Sequence, residues 1–191
     1  MRLYLVQHGD AVPKDIDPDR PLSDQGRADI KRLAEWLSRQ NVQVAQIMHS
    51  GKSRAKETAE ILRPLLESPD QIFEGQGLAP NDSPEAFLRQ LRDTNKDTLI
   101  AGHMPFVART VSQALTGAPD LQLVEFLPGS VAGIERSDRA TWHLFIFARP
   151  ESFELSLNHA PVGEFEQADS LVYGTGKHRP RGRKDARDIN D

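Results

Sequence analysis

Three short polar segments carry side chains able to handle a phosphate group, and each directly follows an apolar run. They are Gln7-His8-Gly9, the stretch from His49 to Arg54, and Gly102-His103-Met104-Pro105. An arginine binds phosphate oxygens through its planar fork of N–H groups, and a histidine ring can donate a hydrogen bond or act as a nucleophile. The second and third segments stand at predicted helix starts, where free backbone amides favour anions. The three segments together therefore predict a phosphate site.

The elements around these segments predict how they meet. Strands are expected over 2–7, 42–48, 98–101, 129–134 and 142–147, and helices over 23–39, 53–66, 84–92 and 105–115. The proline at position 64 predicts that the second helix ends near residue 63. The order β-α-β-α-α-β-α-β-β indicates an α/β fold with a mainly parallel sheet covered by helices on both faces. Ligands of such sheets bind beyond the carboxyl ends of the strands, so the polar segments should converge at one edge.

The distribution of charge along the chain predicts its organisation. Residues 1–150 carry the strand and helix patterns of one domain, residues 151–173 read as an irregular extension, and residues 174–191 as a disordered basic tail. The tail holds six basic and three acidic residues, a local charge of +3, so the rest of the chain carries −4 − 3 = −7. An acidic body disfavours binding to nucleic acid, except through the tail.

The composition excludes several functional classes. The 191 residues include no cysteine, 38% are hydrophobic, and the net charge is −4. Disulfides, a thiolate nucleophile and cysteine zinc sites are therefore impossible. The apolar N-terminal run from Leu3 to Val6 is too short for a signal peptide, and no run is long enough to cross a membrane. We expect a soluble, cytoplasmic protein without membrane partners.

Other catalytic motifs fail on spacing. Gly51-Lys52-Ser53 suggests a nucleotide-binding P-loop, but the first glycine of that motif would fall at Gln46. Gly129-Ser130 lies in no Gly-x-Ser-x-Gly elbow, which disfavours a serine hydrolase. The six histidines lack the spacing of a zinc motif such as His-Glu-x-x-His. The sequence thus predicts neither a metal nor a cofactor.

The polar segments resemble the motifs of a known family. Residues 1–11, MRLYLVQHGDA, resemble the N-terminal Arg-His-Gly signature of the histidine phosphatase superfamily, and the Asp-Ala continuation is similar to its SixA-type phosphohistidine phosphatase branch. Residues 21–26 resemble the family's Leu-Thr/Ser-x-x-Gly helix entry, and residues 50–59 its Ser-Pro-x-x-Arg-Ala-x-x-Thr-Ala segment. Residues 102–105 resemble its second-histidine motif. The resemblance spans about residues 1–148 and implies a phosphoglycerate mutase-like fold.

The resemblance also assigns roles. His8 would be the nucleophile that forms a phosphohistidine intermediate, with its attacking nitrogen unprotonated and the other held as a donor. Arg54 and His103 would bind the phosphoryl oxygens, and a bound dianion would raise the pKa of His103 so that it donates. The proton donor would be Asp82, or otherwise Asp10, although both are also typical turn or cap residues.

One position departs from the family's pattern. Gln7 stands where the motif has arginine, so a neutral amide replaces a charged fork in the predicted phosphate site. Charge-assisted hydrogen bonds are roughly twice as strong as neutral ones, and losing one donor of this kind costs on the order of 10²-fold in rate. We therefore expect this change to lower the turnover rate more than the affinity for phosphate.

Three functions stay open at this point. The leading hypothesis is a metal-independent phosphohistidine phosphatase of the SixA type, which acts on a phosphorylated protein histidine or a small phosphoester through a phosphohistidine intermediate. The short segments 11–23 and 66–83 leave little chain for a lid over a metabolite, which disfavours a phosphoglycerate mutase. The second hypothesis is a phosphate-binding adaptor that has lost turnover through Gln7. The third makes the basic tail a tether for RNA or an acidic partner.

Overall fold

The computed structural model describes residues 1–68, 71–137 and 141–157. Its strands are β1 Arg2–Gln7, β2 Gln46–His49, β3 Ile72–Glu74, β4 Thr98–Gly102, β5 Val131–Arg136 and β6 Trp142–Ala148. Its helices are α1 Asp24–Arg39, α2 Ser53–Ile61, α3 Pro84–Gln90, α4 Phe106–Thr116 and α5 Pro150–Leu157. These described elements belong to one unit of the chain, residues 1–159.

The six strands form one mixed sheet in the order β3-β2-β4-β1-β5-β6. The pairs β3-β2, β2-β4 and β4-β1 are parallel, while β5 runs antiparallel to both β1 and β6. Because β1, β2 and β4 run in the same direction, their carboxyl ends lie at one edge of the sheet. The predicted α/β fold with a mainly parallel sheet is confirmed.

The alternation of side chains along β1 divides the interior into two cores. Tyr4 and Val6 join a cluster that includes Ile30 of α1, Ala59 of α2 and Phe153 of α5. On the opposite face, other β1 residues join a cluster with side chains of α3 and α4. Successive residues of a strand point to opposite faces, so one strand serves both cores. The helices therefore cover both faces, as predicted.

Helix α1 follows from its capping and its apolar spacing. The Ser23 side chain caps the first turn by accepting from the amide of Gly26 at 3.0 Å. Ile30, Leu33 and Leu37 lie on one side of the helix and are 0% exposed. Burying each such side chain contributes about 1.5–3 kcal/mol, which exceeds what helix propensity alone supplies.

Three predicted segments differ from the structure. The second strand begins at Gln46 rather than at 42, and the second helix ends at Ile61, followed by a 3₁₀ turn that contains Pro64. Strand β3 has no predicted counterpart because it is a three-residue edge strand in which Ile72 is only half-buried, too short for an alternating pattern. The remaining predicted bounds agree within about two residues.

The extension predicted to be irregular from residue 151 begins instead as helix α5. Phe153 is 1% exposed, and its ring lies 5.3 Å from that of Trp36 in α1. This tertiary contact stabilises a helix that its sequence pattern does not indicate. The rest of the extension, 158–173, and the tail predicted to be disordered, 174–191, lie outside the described residues.

In the part of the chain that the structure describes, none of the helices has both the length and the apolar character needed to cross a bilayer.

Replacing Gly26 with alanine should destabilise the fold. A Cβ at this position would lie on the Asp10 carbonyl oxygen and 2.8 Å from the Asp10 amide nitrogen. Alanine gains about 1 kcal/mol of helix propensity over glycine, but a backbone clash of this kind typically costs about 1–3 kcal/mol or more. We expect a lower urea midpoint for Gly26→Ala and an unchanged one for Lys31→Ala, an exposed position on the same helix. Equal midpoints would contradict the close approach.

Candidate active site

His8 leaves the end of β1 with its two ring nitrogens in different roles. Its Nδ1 lies 2.7 Å from the carbonyl oxygen of Gly9, which makes Nδ1–H the donor and leaves the Nε2 lone pair unprotonated. The Gly9 amide donates to the Thr58 hydroxyl at 3.2 Å, and that hydroxyl donates to the Arg54 carbonyl oxygen at 2.8 Å. These bonds tie the backbone beside His8 to helix α2.

Arg54 lies in the first turn of α2, and its Nε donates to His8 Nε2 at 3.1 Å. The turn from β2 into the helix depends on Gly51, whose φ of +80° favours glycine. Burial and the nearby charge of Arg20 lower the pKa of Arg54. A guanidinium still stays protonated in proteins. A fixed cation therefore contacts the predicted attacking nitrogen.

His103 follows β4 and is 2% exposed. Its Nε2 lies 2.5 Å from the Ser50 hydroxyl oxygen, and its ring centroid lies 4.9 Å from that of His8. Among the described residues, His103 Nδ1 has no hydrogen-bond partner. The structure thus brings together His8, Arg54 and His103 from β1, α2 and β4, and adds Ser50.

Both histidines are held neutral. Burial, followed by the charges of Arg54 and Arg20, lowers the pKa of His8 to about 4, against the raising effect of its bond to Gly9. Burial also lowers the pKa of His103 to about 3, together with the nearby His8 and the same two arginines. At neutral pH, His8 has the unprotonated form that a nucleophile needs. A neutral His103 can still donate through one ring N–H.

Gln7 is buried beside this centre, at 9% exposure. Its backbone amide donates to Ser130, and its carbonyl oxygen accepts from Gly129 at 3.1 Å. Its side-chain Oε1 has no hydrogen-bond partner within the described residues. A buried amide oxygen without a partner costs free energy, so the residue directly before His8 has a side chain whose hydrogen-bonding capacity is not satisfied.

The two candidate proton donors have different surroundings. The Asp82 carboxylate accepts from the Ala79 amide at 2.7 Å and closes a local turn. The Asp10 carboxylate accepts from the Ser23 hydroxyl at 2.6 Å, and its charge is one of those acting on the pKa of His8. Both residues therefore have a local structural role, and Asp10 also acts electrostatically on the predicted nucleophile.

Ser50 and Arg20 act on the candidate site, and the sequence interpretation assigned no role to either residue. Ser50 contacts His103, and Arg20 lowers the pKa of His8, Arg54 and His103. The sequence offered one indication for Arg20, since it directly precedes residues 21–26, which resemble a family motif. The described residues contain no group of three or more histidine, aspartate or glutamate side chains able to hold a metal.

A cavity of about 860 Å³ lies at the opposite edge of the sheet. Met1, Arg136 and Trp142 are among its lining residues, at the start of β1, the end of antiparallel β5 and the start of β6. Arg136 there donates to the carbonyl oxygens of Leu91 and Thr94 at 2.9 and 2.8 Å, which holds the chain before β4. The described lining residues include no histidine. The candidate catalytic site is therefore the one at the other edge, where the carboxyl ends of β1, β2 and β4 lie.

Mild acid should weaken the fold through the two buried histidines. The unfolded chain protonates a histidine near 6.5, whereas His8 and His103 protonate only near 4 and 3 in the folded chain. Between these values the unfolded state binds more protons, so stability is lost as the pH falls. From pH of about 7 to about 5 we expect a loss of up to about 2 kcal/mol for each histidine.

Guanidinium unfolding at both pH values measures this loss. His103→Asn should reduce the loss of unfolding free energy between the two pH values. The exposed control His143→Asn should show the same loss as wild type. An unchanged slope in His103→Asn would contradict a neutral, buried His103.

Comparison with known proteins places this geometry in a family. Residues 3–75 match the model of the histidine phosphatase superfamily, branch 1. An uncharacterized protein of Picosynechococcus sp. is 35% identical over 113 residues, which are 55% of this chain and 67% of that protein. The phosphohistidine phosphatase SixA of Escherichia coli is 27% identical over 122 residues, which are 61% of this chain and 76% of that protein.

Solved structures share the fold. The protein histidine phosphatase SixA in complex with tungstate superimposes with a TM-score of 0.70 at 22% identity, over 80% of this chain and 99% of that one. A putative alpha-ribazole-5'-P phosphatase from Escherichia coli gives a TM-score of 0.65 at 14% identity, over 78% and 97%. With the matched motif residues and the parallel strand ends that carry both histidines, these likenesses have one explanation: the chain belongs to the histidine phosphatase superfamily.

Proposed function

We propose that this protein is a phosphatase that forms a phosphohistidine on Nε2 of His8 and acts on protein phosphohistidine in the manner of the SixA-type branch. The observation that carries the proposal is the division of roles in the His8 ring, with Nδ1 held by Gly9 at 2.7 Å and Nε2 left with its lone pair. A neutral imidazole fixed in one tautomer is a competent nucleophile without a further base.

The first step transfers the phosphoryl group to the enzyme. Nε2 of His8 attacks phosphorus in line, the P–Nε2 bond forms, and the bond from phosphorus to the leaving nitrogen or oxygen breaks as that atom takes a proton from the proton donor. Arg54 Nε–H, which donates to His8 Nε2 at 3.1 Å in the free protein, donates instead to a phosphoryl oxygen of the substrate. His103 donates to another phosphoryl oxygen. Donors already in place stabilise the charge spread over the transferring group.

The second step releases phosphate. Water attacks the phosphorus of phospho-His8 and gives a proton to the group that protonated the leaving atom in the first step. The P–Nε2 bond breaks, and inorganic phosphate leaves with the imidazole restored. Desolvation favours the neutral ring, as the lowered pKa of His8, about 4, indicates. Because Nδ1 keeps its proton throughout, the ring leaves as a neutral imidazole. The burial that keeps the nucleophile unprotonated therefore also favours its release.

A phosphorylated histidine on a protein is the substrate that the chain's features favour. The SixA relatives are phosphohistidine phosphatases by name. The segment between β1 and α1 folds back on itself, with the Val12 amide donating to the Pro21 carbonyl oxygen at 2.9 Å, so it forms a short hairpin rather than a lid. A short rim suits a protruding side chain better than a small metabolite that must be enclosed.

The adaptor hypothesis is less favoured. The residues that would turn over a phosphoryl group, His8 and Arg54, are in hydrogen-bond contact, and named relatives are phosphatases. The proposed steps use no metal. A cytoplasmic location stays a prediction, and binding of RNA or of an acidic partner by the tail concerns residues outside the described ranges.

Loss of the nucleophile should abolish turnover. We expect wild-type protein to release phosphate from a phosphohistidine-bearing protein in buffer containing EDTA, and His8→Ala to release none above background. Acid-labile, alkali-stable radiolabel should appear on wild type and not on the variant. The exposed His143→Asn serves as the matched control and should retain full activity. If wild type and His8→Ala are equally inactive on phosphohistidine and on aryl phosphates, the proposed function is wrong.

The proton donor can be assigned by varying the leaving group. We favour Asp10, because its charge acts on His8. Asp10→Asn should slow hydrolysis of an alkyl phosphate, whose leaving oxygen needs a proton, by about 10²-fold. It should affect p-nitrophenyl phosphate much less, because nitrophenolate leaves unprotonated.

Asp82→Asn is the comparison variant and should change neither rate. The reverse pattern would assign the donor to Asp82. Equal losses on both substrates in Asp10→Asn would leave Asp10 with only its structural bond to Ser23.

A further inference from the structure

The segment between β1 and α1 is fastened to the site at several points. An isolated bridge pairs Ala11 with Leu22, and the Ser23 amide donates to the Asp10 carbonyl oxygen at 3.0 Å. The Leu22 amide donates to the Glu57 carboxylate at 3.3 Å, which ties the segment to α2, the helix that carries Arg54. The segment therefore has a defined position beside the predicted nucleophile.

Arg20 occupies an unusual place in this segment. Its φ of 50° is left-handed, a conformation uncommon for residues other than glycine, and its amide donates to the Asp17 carbonyl oxygen at 3.1 Å. Its Nε donates to the Val12 carbonyl oxygen at 3.4 Å, and the residue is half-buried. Holding an arginine in this conformation costs about 1 kcal/mol or more, and such local costs cluster at functional sites.

The guanidinium is held without a carboxylate partner. Asp15, Asp17 and Asp19 lie in the same segment, yet within the described residues none forms an ion pair with Arg20. The Asp17 carboxylate accepts from the Asp19 amide at 2.9 Å instead. Among the described residues, the Arg20 guanidinium donates only through Nε, to Val12, so its two terminal nitrogens keep their N–H groups for another acceptor.

The positive charge of Arg20 acts electrostatically on the groups of the candidate site. It lowers the pKa of His8, which follows β1, of Arg54 in α2, and of His103, which follows β4. The geometry agrees with this effect, because Arg20 Nε donates to Val12, four residues after His8. The Leu22 amide holds the segment against α2, which carries Arg54. A phosphoryl group bound at His8 and Arg54 would therefore lie near the guanidinium, in a partly buried site where such interactions are stronger than in water.

We propose that Arg20 is the second phosphate-binding arginine of this site and replaces, from the segment before α1, the cation that Gln7 does not supply from β1. The proposal rests on the proposed phosphatase function and names a catalytic residue for it. Arg20 and Arg54 would then hold the transferring phosphoryl group from two sides, each through charge-assisted hydrogen bonds.

The neutral side chain of Gln7 is consistent with a cation supplied by Arg20 instead of by position 7. An arginine at position 7 in addition to Arg20 and Arg54 would place three guanidinium groups around a single phosphoryl group, with strong mutual repulsion before substrate binds. The neutral amide relieves that repulsion. Positions 7 and 20 should therefore be energetically coupled, which a double-mutant cycle can measure.

The test is a cycle between Gln7→Arg and Arg20→Asn. Asparagine removes the charge and tolerates the left-handed backbone, so the segment can keep its shape. We expect Arg20→Asn to lower kcat/KM on p-nitrophenyl phosphate by about 10²-fold. In the Gln7→Arg background the same change should cost less than about 10-fold, since the restored arginine takes over. Lys14→Asn, an exposed cation of the same segment, is the matched control and should change nothing.

The variant Arg20→Lys tests whether the activity lost in Arg20→Asn has a purely structural cause. Lysine keeps the positive charge without the fork, so it should recover part of the activity lost in Arg20→Asn if the charge matters. Unfolding midpoints of both variants should stay near that of wild type. A loss in Arg20→Asn of less than about 3-fold, or equal losses in the wild-type and Gln7→Arg backgrounds, would overturn the proposal.

Binding of inorganic phosphate separates this proposal from the proposed function. Titration calorimetry should show weaker phosphate binding for Arg20→Asn than for Lys14→Asn, by about 10-fold. If wild type binds phosphate through Arg20 but hydrolyses no phosphohistidine and no aryl phosphate, the proposed function fails while the role of Arg20 stands. If phosphate binding is equal in both variants, the role of Arg20 fails whatever the activity.

Discussion

The parallel register between β1 and β4 sets where both histidines lie. Gln7 pairs with Gly102, and the His8 amide extends the ladder by donating to the Gly102 carbonyl oxygen at 3.0 Å. His8 and His103 are therefore the next residues on two neighbouring strands, which places their rings 4.9 Å apart. A slip by one residue would turn the side chains to the other face, and the two buried clusters that share β1 prevent such a slip.

The arrangement keeps the imidazole of the proposed nucleophile, His8, neutral although cations surround it. Burial opposes protonation of His8 and His103, and the guanidinium of Arg54 opposes it further. In the proposed reaction the same guanidinium attracts the phosphoryl dianion. Under the proposed function, one set of positive charges both opposes protonation of His8 and binds the phosphoryl group, and it does so locally, within a chain whose net charge is −4.

Much of the fold was predictable because local signals agreed. The apolar run of β1, the Ser23 cap of α1 and the glycine that ends α4 each mark an element, and the observed bounds follow them. Strand β3 and helix α5 were missed because their stability comes from partners. Ile72 pairs with Ile47 of β2, and Phe153 packs on Trp36 of α1, contacts between residues far apart in the chain.

The sequence by itself determined the types of group in the candidate site and the positions that carry them: His8 and His103 follow apolar runs, and Arg54 lies at a predicted helix start, each within a recognisable motif. Only the tertiary structure decided which ring nitrogen of His8 is held by Gly9, that Ser50 contacts His103, and that Arg20 acts electrostatically at the same centre. The physical reason is that motifs depend on local spacing, whereas hydrogen-bond partners and desolvation depend on which distant segments the packed sheet brings together.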